Sequence, residues 1–459
     1  MKAINYFSNL ILKNPISILS GIGIITIIFA YIAFFSPQKL QVDFSLEQMF
    51  PENDPDRDLY VNFTNEFSRE DDLAIYIYES QNIFSNKSLN EINDLSSEIE
   101  LIDGVESVLS LGNLDNAKLL EDDFEAKNWI KNHPIYSQGL ISKNGKMGAI
   151  IVNLEDEIDN HDSREITIYK IEDLISNLKD YSWHGSGIPV MRTNYVQFVN
   201  NERSIFLPIA FIVVTIVLFL LFRQIKGVIL PLIAIGVTLI WVAGIMSLLG
   251  ITINVVSYLV FNLLMVIGVS DAIHILIKYH ESLNNNFNKH DSLLKVIKEI
   301  GAALFLTSFT TAIGFFSLML TNIKITREFG FMLGIGVFLL FILTIIIIPA
   351  ILSFIDPPDK KHIKRLIVGE RFQAAENLNK WNENHPKKIL AISAVLFIIT
   401  IIGLFKMDYD STIMDDLKPG NKLYDDMKFV ESHFGGTLPL EIVLDFTKEN
   451  ESLNPENLQ

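Results

Sequence analysis

Seven apolar blocks, each about 17–25 residues long, interrupt an otherwise polar chain. That is the length at which an α-helix crosses the hydrocarbon core of a bilayer. Inside a bilayer only helices and closed barrels satisfy their own backbone N–H and C=O groups. A chain divided in this way is therefore expected to fold as a polytopic α-helical membrane protein. The expected spans are 16–35, 205–222, 228–249, 255–277, 302–320, 331–354 and 389–405. Hydrophobic residues make up 49% of the 459 positions, which is unusual for a soluble domain of this length.

Positive charge sets the expected orientation, since short cytoplasmic loops collect Lys and Arg. With the N-terminus in the cytoplasm, the inner segments hold Lys2, Lys13, Arg223, Lys226, Lys278, Lys289, Lys295 and Lys298. They also hold a further group of bases between 356 and 388. The short outer loops then carry only Lys324 and Arg327. This places 37–203 and 406–459 outside, with 1–15 as a cytoplasmic segment and 355–388 as a cytoplasmic linker. The expected location is a bacterial inner membrane.

The segment 37–203 is acidic, with about 32 carboxylates against about 14 bases. An acidic surface argues against nucleic acid as a partner. The chain has no cysteine, which excludes a disulfide framework and thiolate metal sites. Within 73–187 the pattern alternates between strand-like runs (73–79, 105–111, 147–154, from 181) and helical runs (88–102, 166–178). The order βαβ…βαβ suggests a ferredoxin-like α/β unit, with a helical insertion over 113–133. The stretch 190–204 runs directly into the second span and is expected to couple this domain to the membrane part.

A repeat runs through the chain. Pro386-Lys387-Lys388-Ile389-Leu390 aligns with Pro15-Ile16-Ser17-Ile18-Leu19, and each opens a span. Each span exits into a similar pattern, Val42-Asp43-Phe44 or Met407-Asp408-Tyr409. Each then reaches a proline (Pro51, Pro419), a Leu-Tyr pair (Leu59-Tyr60, Leu423-Tyr424) and a phenylalanine (Phe67, Phe434) before a strand at 73–77 or 440–444. Parallel repeats of this kind build many transporters. The expectation is a chain that holds one whole unit and the start of a second, with a missing second half or a partner chain completing it.

The fourth span carries Gly268-Val269-Ser270-Asp271-Ala272-Ile273-His274. A charged residue within a span costs about 2.5–3.5 kcal/mol on insertion scales and usually marks a proton or ion path. Gly268, Asp271, His274 and Lys278 fall on roughly one helix face. Two readings of Asp271 are open: a protonatable site facing a partner helix, or a packing residue near the inner boundary. His274 is open in the same way, as a proton relay or as a hydrogen-bonded packing residue. Lys278 reads as an interface anchor. In the fifth span Thr307, Thr310, Thr311 and Gly314 form one small, polar stripe whose hydroxyls could bond a neighbouring carboxylate. Asn262 lies on the opposite side of the fourth span from Asp271. The clusters Glu121-Asp122-Asp123 and Glu155-Asp156-Glu157 read as solvated loops, and 291–300 and 360–381 as amphipathic helices on the inner leaflet. No glycine loop for phosphate binding precedes a lysine, and no nucleophile–base pair occurs. The chain is expected to be no enzyme and to use neither cofactor nor metal.

One span, an outer α/β domain, five further spans and then the same order again resembles the resistance-nodulation-division (RND) superfamily. Val269-Ser270-Asp271-Ala272-Ile273 looks like that superfamily's fourth-helix proton-relay motif, with Ser270 in place of the first of two acids and Asp271 as the second. Thr307-Ser308-Phe309-Thr310-Thr311-Ala312-Ile313-Gly314-Phe315 resembles its fifth-helix signature. The moderate outer domain is closest to the MMPL, Patched and hopanoid-transporter branch, in which 205–354 would be a five-helix domain of sterol-sensing type. The resemblance implies porter-like domains at 37–203 and 406–459. It implies a proton relay at Asp271, His274 and Ser270, supported by Gly268, Thr307, Thr310, Thr311 and Gly314. It further implies export of a hydrophobic or amphipathic molecule, such as a lipid, driven by the proton gradient. One acid in place of two leaves the relay incomplete, because its partners in the family lie on the second half. The alternatives are a non-transporting lipid or sterol sensor and a SecDF-like accessory factor in protein secretion. Membrane lipids and protons are expected partners, and a homo-oligomer is left open.

Overall fold

The computed structural model describes residues 2–37, 39–42, 51–52, 54–55, 57, 59, 72–114, 123–133, 139–142, 144–155, 161–254, 256–359, 363, 370–407 and 420–434. These fall into two compact units, 1–62 with 196–411 and 63–195 with 412–459.

In the first unit, apolar residues surround each long helix on all sides, as expected of helices that pack in lipid rather than against one soluble core. A short amphipathic helix, α1 (Lys2–Lys13), precedes α2 (Pro15–Phe34). Proline suits the first turn of α2 because its missing N–H would have no partner there. The remaining long helices are α6 (Ile188–Phe222), which belongs to this unit from residue 196 on, α7 (Ile225–Leu248), α8 (Leu259–Asn284), α11 (Lys324–Phe354) and α13 (Pro386–Leu404). Between α8 and α11, α9 (Lys289–Lys295), a π-helical turn (Val296–Ile300) and α10 (Gly301–Phe316) form one near-continuous rod. Together the described residues contain seven helical segments long and apolar enough to cross a bilayer. Helix α11 is central, packing on α7, α8 and α10.

Several boundaries differ from the sequence reading. The fourth span was expected from residue 255, but α8 begins at Leu259. The reason is local. Asn254 Oδ1 accepts from the backbone N–H of Val256 and Ser257, and Ser257 Oγ donates to the carbonyl of Thr252. These bonds hold a turn where the hydropathy pattern reads as helix. The stretch 291–300, expected on the leaflet surface, buries Ser292, Leu293, Val296 and Ile297 within the protein instead. Its contacts are with α1, α8 and α11.

Loops of this unit are stitched together by hydrogen bonds. Ile253 N donates to Gln41 O at 2.7 Å, and Glu52 N donates to Asn322 O at 2.9 Å. Arg327 donates from both terminal nitrogens to Glu52, at 2.6 and 2.7 Å. That bidentate bond holds the Glu52 carboxyl below its ordinary range.

The second unit is built on four strands: β1 (Leu73–Glu79), β2 (Val105–Ser110), β3 (Met147–Leu154) and β4 (Ser182–Ser186). Their order is β2-β3-β1-β4, with every neighbour antiparallel. Helices α3 (Asn86–Glu100) and α5 (His161–Asn177) complete a ferredoxin-like βαββαβ fold. A further helix, α4 (Asp123–Asn132), lies in the region expected to be an insertion. Side-chain alternation gives the sheet two apolar faces. Ala74, Tyr76 and Tyr78 join Ile92, Ile99, Ile168 and Ile171 in the main core. Ile75 and Ile77 point the other way, onto Phe429, Val430 and Phe434 of α14 (Lys422–Phe434). Gly187 closes β4 with φ +94°, and a Cβ there would stand 2.2 Å from the Leu73 carbonyl oxygen. Only glycine fits that turn into α6. Helix α12 (Glu370–Asn384) belongs to the expected linker. The motif residues Asp43, Phe44, Tyr60, Phe67, Asp408, Tyr409 and Pro419, the expected strand at 440–444, and Glu121, Asp122, Asp156 and Glu157 lie outside the described residues.

Candidate functional site

Close helix approach prepares the site. At Gly268 of α8, an added Cβ would stand 2.7 Å from Ile235 Cγ1 of α7 and 2.9 Å from Leu340 Cδ1 of α11. At Gly336 of α11 it would stand 2.7 Å from Leu264 Cδ1 of α8. The missing side chains at Gly268 and Gly336 thus let the side chains of Ile235, Leu340 and Leu264 seat directly on the facing helix backbone. The pairs Leu264–Gly336 and Gly268–Leu340 fix the register of α8 against α11. One turn further along the same two helices come Asp271 and Thr344.

Asp271 is only 6% exposed. Its Oδ2 has no hydrogen-bond partner among the described residues, and neither has the buried Thr344 Oγ1. A carboxylate buried in a membrane helix bundle without a counter-charge is costly to keep ionised. Two turns nearer the end of α8, the Tyr279 hydroxyl is also buried without a hydrogen-bond partner among the described residues. His280 beside it is buried, with Nδ1 2.6 Å from the carbonyl of Leu276 and its ring stacked on Phe222.

The other expected residues lie elsewhere. Gly268 and Asp271 are brought together in the interior, while Ser270 and His274 of the same helix are exposed. Lys278 is tied to Glu281 at 3.2 Å and Glu299 at 3.1 Å, so it is an ion-paired residue rather than a solitary anchor. The stripe on α10 faces away from the bundle: Thr307, Thr310 and Gly314 are exposed and Thr311 is half-buried. Helix α10 turns Gly301, Leu304, Ser308 and Ala312 inward instead. The Thr307 and Thr310 hydroxyls donate to carbonyls of their own helix, those of Ala303, Leu304, Leu306 and Thr307. Within this chain, therefore, these hydroxyls do not reach Asp271. Asn262, on the far side of α8, has a buried Oδ1 with no partner among the described residues.

Thr344, Tyr279 and His280 were not singled out in the sequence. A lone threonine inside Leu343-Thr344-Ile345 was the available signal for the first. His280 sits beyond the expected end of the fourth span at 277, and the extension of α8 to Asn284 is what brings it into the protein. Among the described residues no group of His, Asp and Glu is arranged to hold a metal ion.

A multi-pass membrane protein with a ferredoxin-like unit and a buried acid on the fourth spanning helix defines a transporter-like class of the RND type. The chain belongs to the MMPL family: the model of that family matches residues 64–382. A protein of Methanocaldococcus jannaschii named as a membrane protein, MJ1562, is 21% identical over 384 residues, or 80% of this chain and 96% of its own length. The sulfolipid-1 exporter MmpL8 of Mycobacterium tuberculosis is 25% identical over 43% of this chain and 18% of its own. The hopanoid transporter HpnN of Burkholderia multivorans is 22% identical over 45% of this chain and 23% of its own. The matches to these two transporters therefore span about a fifth of their lengths.

Proposed function

We propose that the protein exports a hydrophobic or amphipathic molecule, with a lipid as the substrate class, at the expense of a proton gradient. The observation that carries this reading is Asp271, a buried acid whose Oδ2 has no hydrogen-bond partner among the described residues, one turn from the close approach of α8 to α7 and α11 at Gly268. Gain of a proton there removes a charge from an interior that offers it no counter-ion. Loss of that proton restores the charge and with it the drive to rearrange α8 against α7 and α11. A membrane potential supplies about 2.3 kcal/mol per charge per 100 mV, enough to bias a two-state cycle. The sulfolipid exporter and the hopanoid transporter among its relatives support a lipid substrate. In the same reading the exposed Ser270, His274 and α10 stripe complete the relay only when a second copy of the membrane unit faces them. The charge bias of the loops supports a cytoplasmic N-terminus in this reading.

The test is lipid transfer from proteoliposomes that hold a fluorescent phospholipid, with an imposed pH gradient. Transfer that stops when a protonophore collapses the gradient supports the proposal. Transfer indifferent to the gradient, or binding without transfer, points to the sensor reading.

A further inference from the structure

A groove of about 650 Å³ opens at the end of the first unit where its basic residues gather. Its lining includes Lys13 and Ile16 from the junction of α1 and α2, Lys289 and His290 from α9, and Phe354 from the end of α11. Among the described residues no carboxylate lines it. Two lysines outside the groove have acid partners: Lys278 pairs with Glu281 and Glu299, and Lys295 lies 3.9 Å from Glu299. Lys289 instead donates to the backbone carbonyl of Ser353 and has no carboxylate partner among the described residues. Lys13 and His290 have no carboxylate partner among the described residues. The nearest acid in sequence, Asp291, is occupied by Asn288, whose side-chain nitrogen donates to it at 2.8 Å.

The groove is fixed and lies at one depth. Ile11 of α1 is 1% exposed and packs with Ile297 and Ala350, so α1 is anchored to the bundle. Ile16 begins a spanning helix and Phe354 ends one, and they are 68% and 51% exposed. Cationic nitrogens therefore stand where the spans leave the hydrocarbon, beside apolar surface that continues into it. Phosphate at this level with two acyl chains below it has the matching chemistry.

We propose that this groove is a binding site for an anionic phospholipid, its headgroup phosphate held by Lys13, Lys289 and His290 and its chains lying along Ile16 and Phe354. The site is independent of the transport reading, since none of its residues belongs to the α7–α8–α11 crossing.

The test reconstitutes the whole protein in nanodiscs of equal parts phosphatidylglycerol and phosphatidylcholine and counts retained lipids by native mass spectrometry. Wild type is expected to retain phosphatidylglycerol preferentially. Lys13→Gln and Lys289→Gln should each weaken that preference roughly fivefold, as expected for loss of one charge near a membrane surface. Lys295→Gln should leave it unchanged. Lys13→Gln keeps the Lys289–Ser353 bond, so its effect does not depend on the end of α11 staying wound. Equal retention of the two lipids in wild type overturns the proposal, as does unchanged retention in both groove variants. Displacement of phosphatidylglycerol by excess inorganic phosphate alone also overturns it, because the groove would then be a simple anion site.

Discussion

At the residue scale, one missing side chain governs the geometry around the candidate acid. Gly268 leaves room for Ile235 and Leu340 at distances no Cβ could tolerate without displacement. Gly268→Leu is therefore expected to force α8 away from both neighbours and to cost about 1–3 kcal/mol or more. Thermal unfolding in detergent measures it, and Gly314→Leu, on the exposed face of α10 with open space around its Cα, should unfold close to wild type. Glu172 in the second unit gives a pH signature. Burial raises its carboxyl above the ordinary range, opposed by Lys422 and reinforced by Asp426. A raised acid pKa penalises the folded state above the unfolded value, near 4.3–4.5, and the penalty fades as pH falls through the folded value toward it. Glu172→Gln should thus raise the melting temperature more at neutral pH than at about pH 4.

At the scale of elements, the contact with the longest reach in the second unit is the docking of α14 on the sheet. His184 of β4 meets Asp426 at 2.7 Å and stacks on Phe429, with ring centroids 3.8 Å apart. Val430 is 2% exposed beneath. Val430→Asp places an unpaired carboxylate in that contact, a change expected to cost several kcal/mol. Hydrogen exchange should show α14 amides losing protection while β1 and β3 keep theirs. Uniform loss across the sheet would mean that α14 is needed for the ferredoxin-like fold itself.

The sequence made the elements legible more readily than their neighbours. Short strand-like runs alternating with helical runs located the four strands, while the opposite directions of residues 75 and 77 against 74, 76 and 78 come from the pleat of β1. Nothing local in residues 422–434 says which sheet they cover, and the His184–Asp426 bond joins segments more than two hundred positions apart. The α10 stripe shows the same limit. Periodicity groups Thr307, Thr310, Thr311 and Gly314 on one face correctly, but it does not say what that face meets. Asp271 was legible as an anomaly in its apolar surroundings. Its inward direction, and the outward direction of His274 three residues on, depend on where α7 and α11 pack.

At the scale of the whole molecule, the absence of cysteine makes topology directly testable. Single cysteines at Lys226 and Asn322 should label from opposite sides of the membrane. With a cytoplasmic N-terminus, a membrane-impermeant maleimide reaches Asn322→Cys in intact cells and Lys226→Cys only after permeabilisation. The reverse pattern would invert the protein. Membership in the MMPL family agrees with the seven candidate spans on a multi-pass protein.

Whether Asp271 exchanges protons with the two sides is the centre of the account. The direct measurement reconstitutes the protein and its Asp271→Asn variant in liposomes, imposes a pH gradient and follows proton flux with an entrapped dye. A proton relay at Asp271 predicts flux in the wild type that disappears in Asp271→Asn while circular dichroism and thermal unfolding show the variant still folded. Equal flux in both proteins, or none in either, would contradict it.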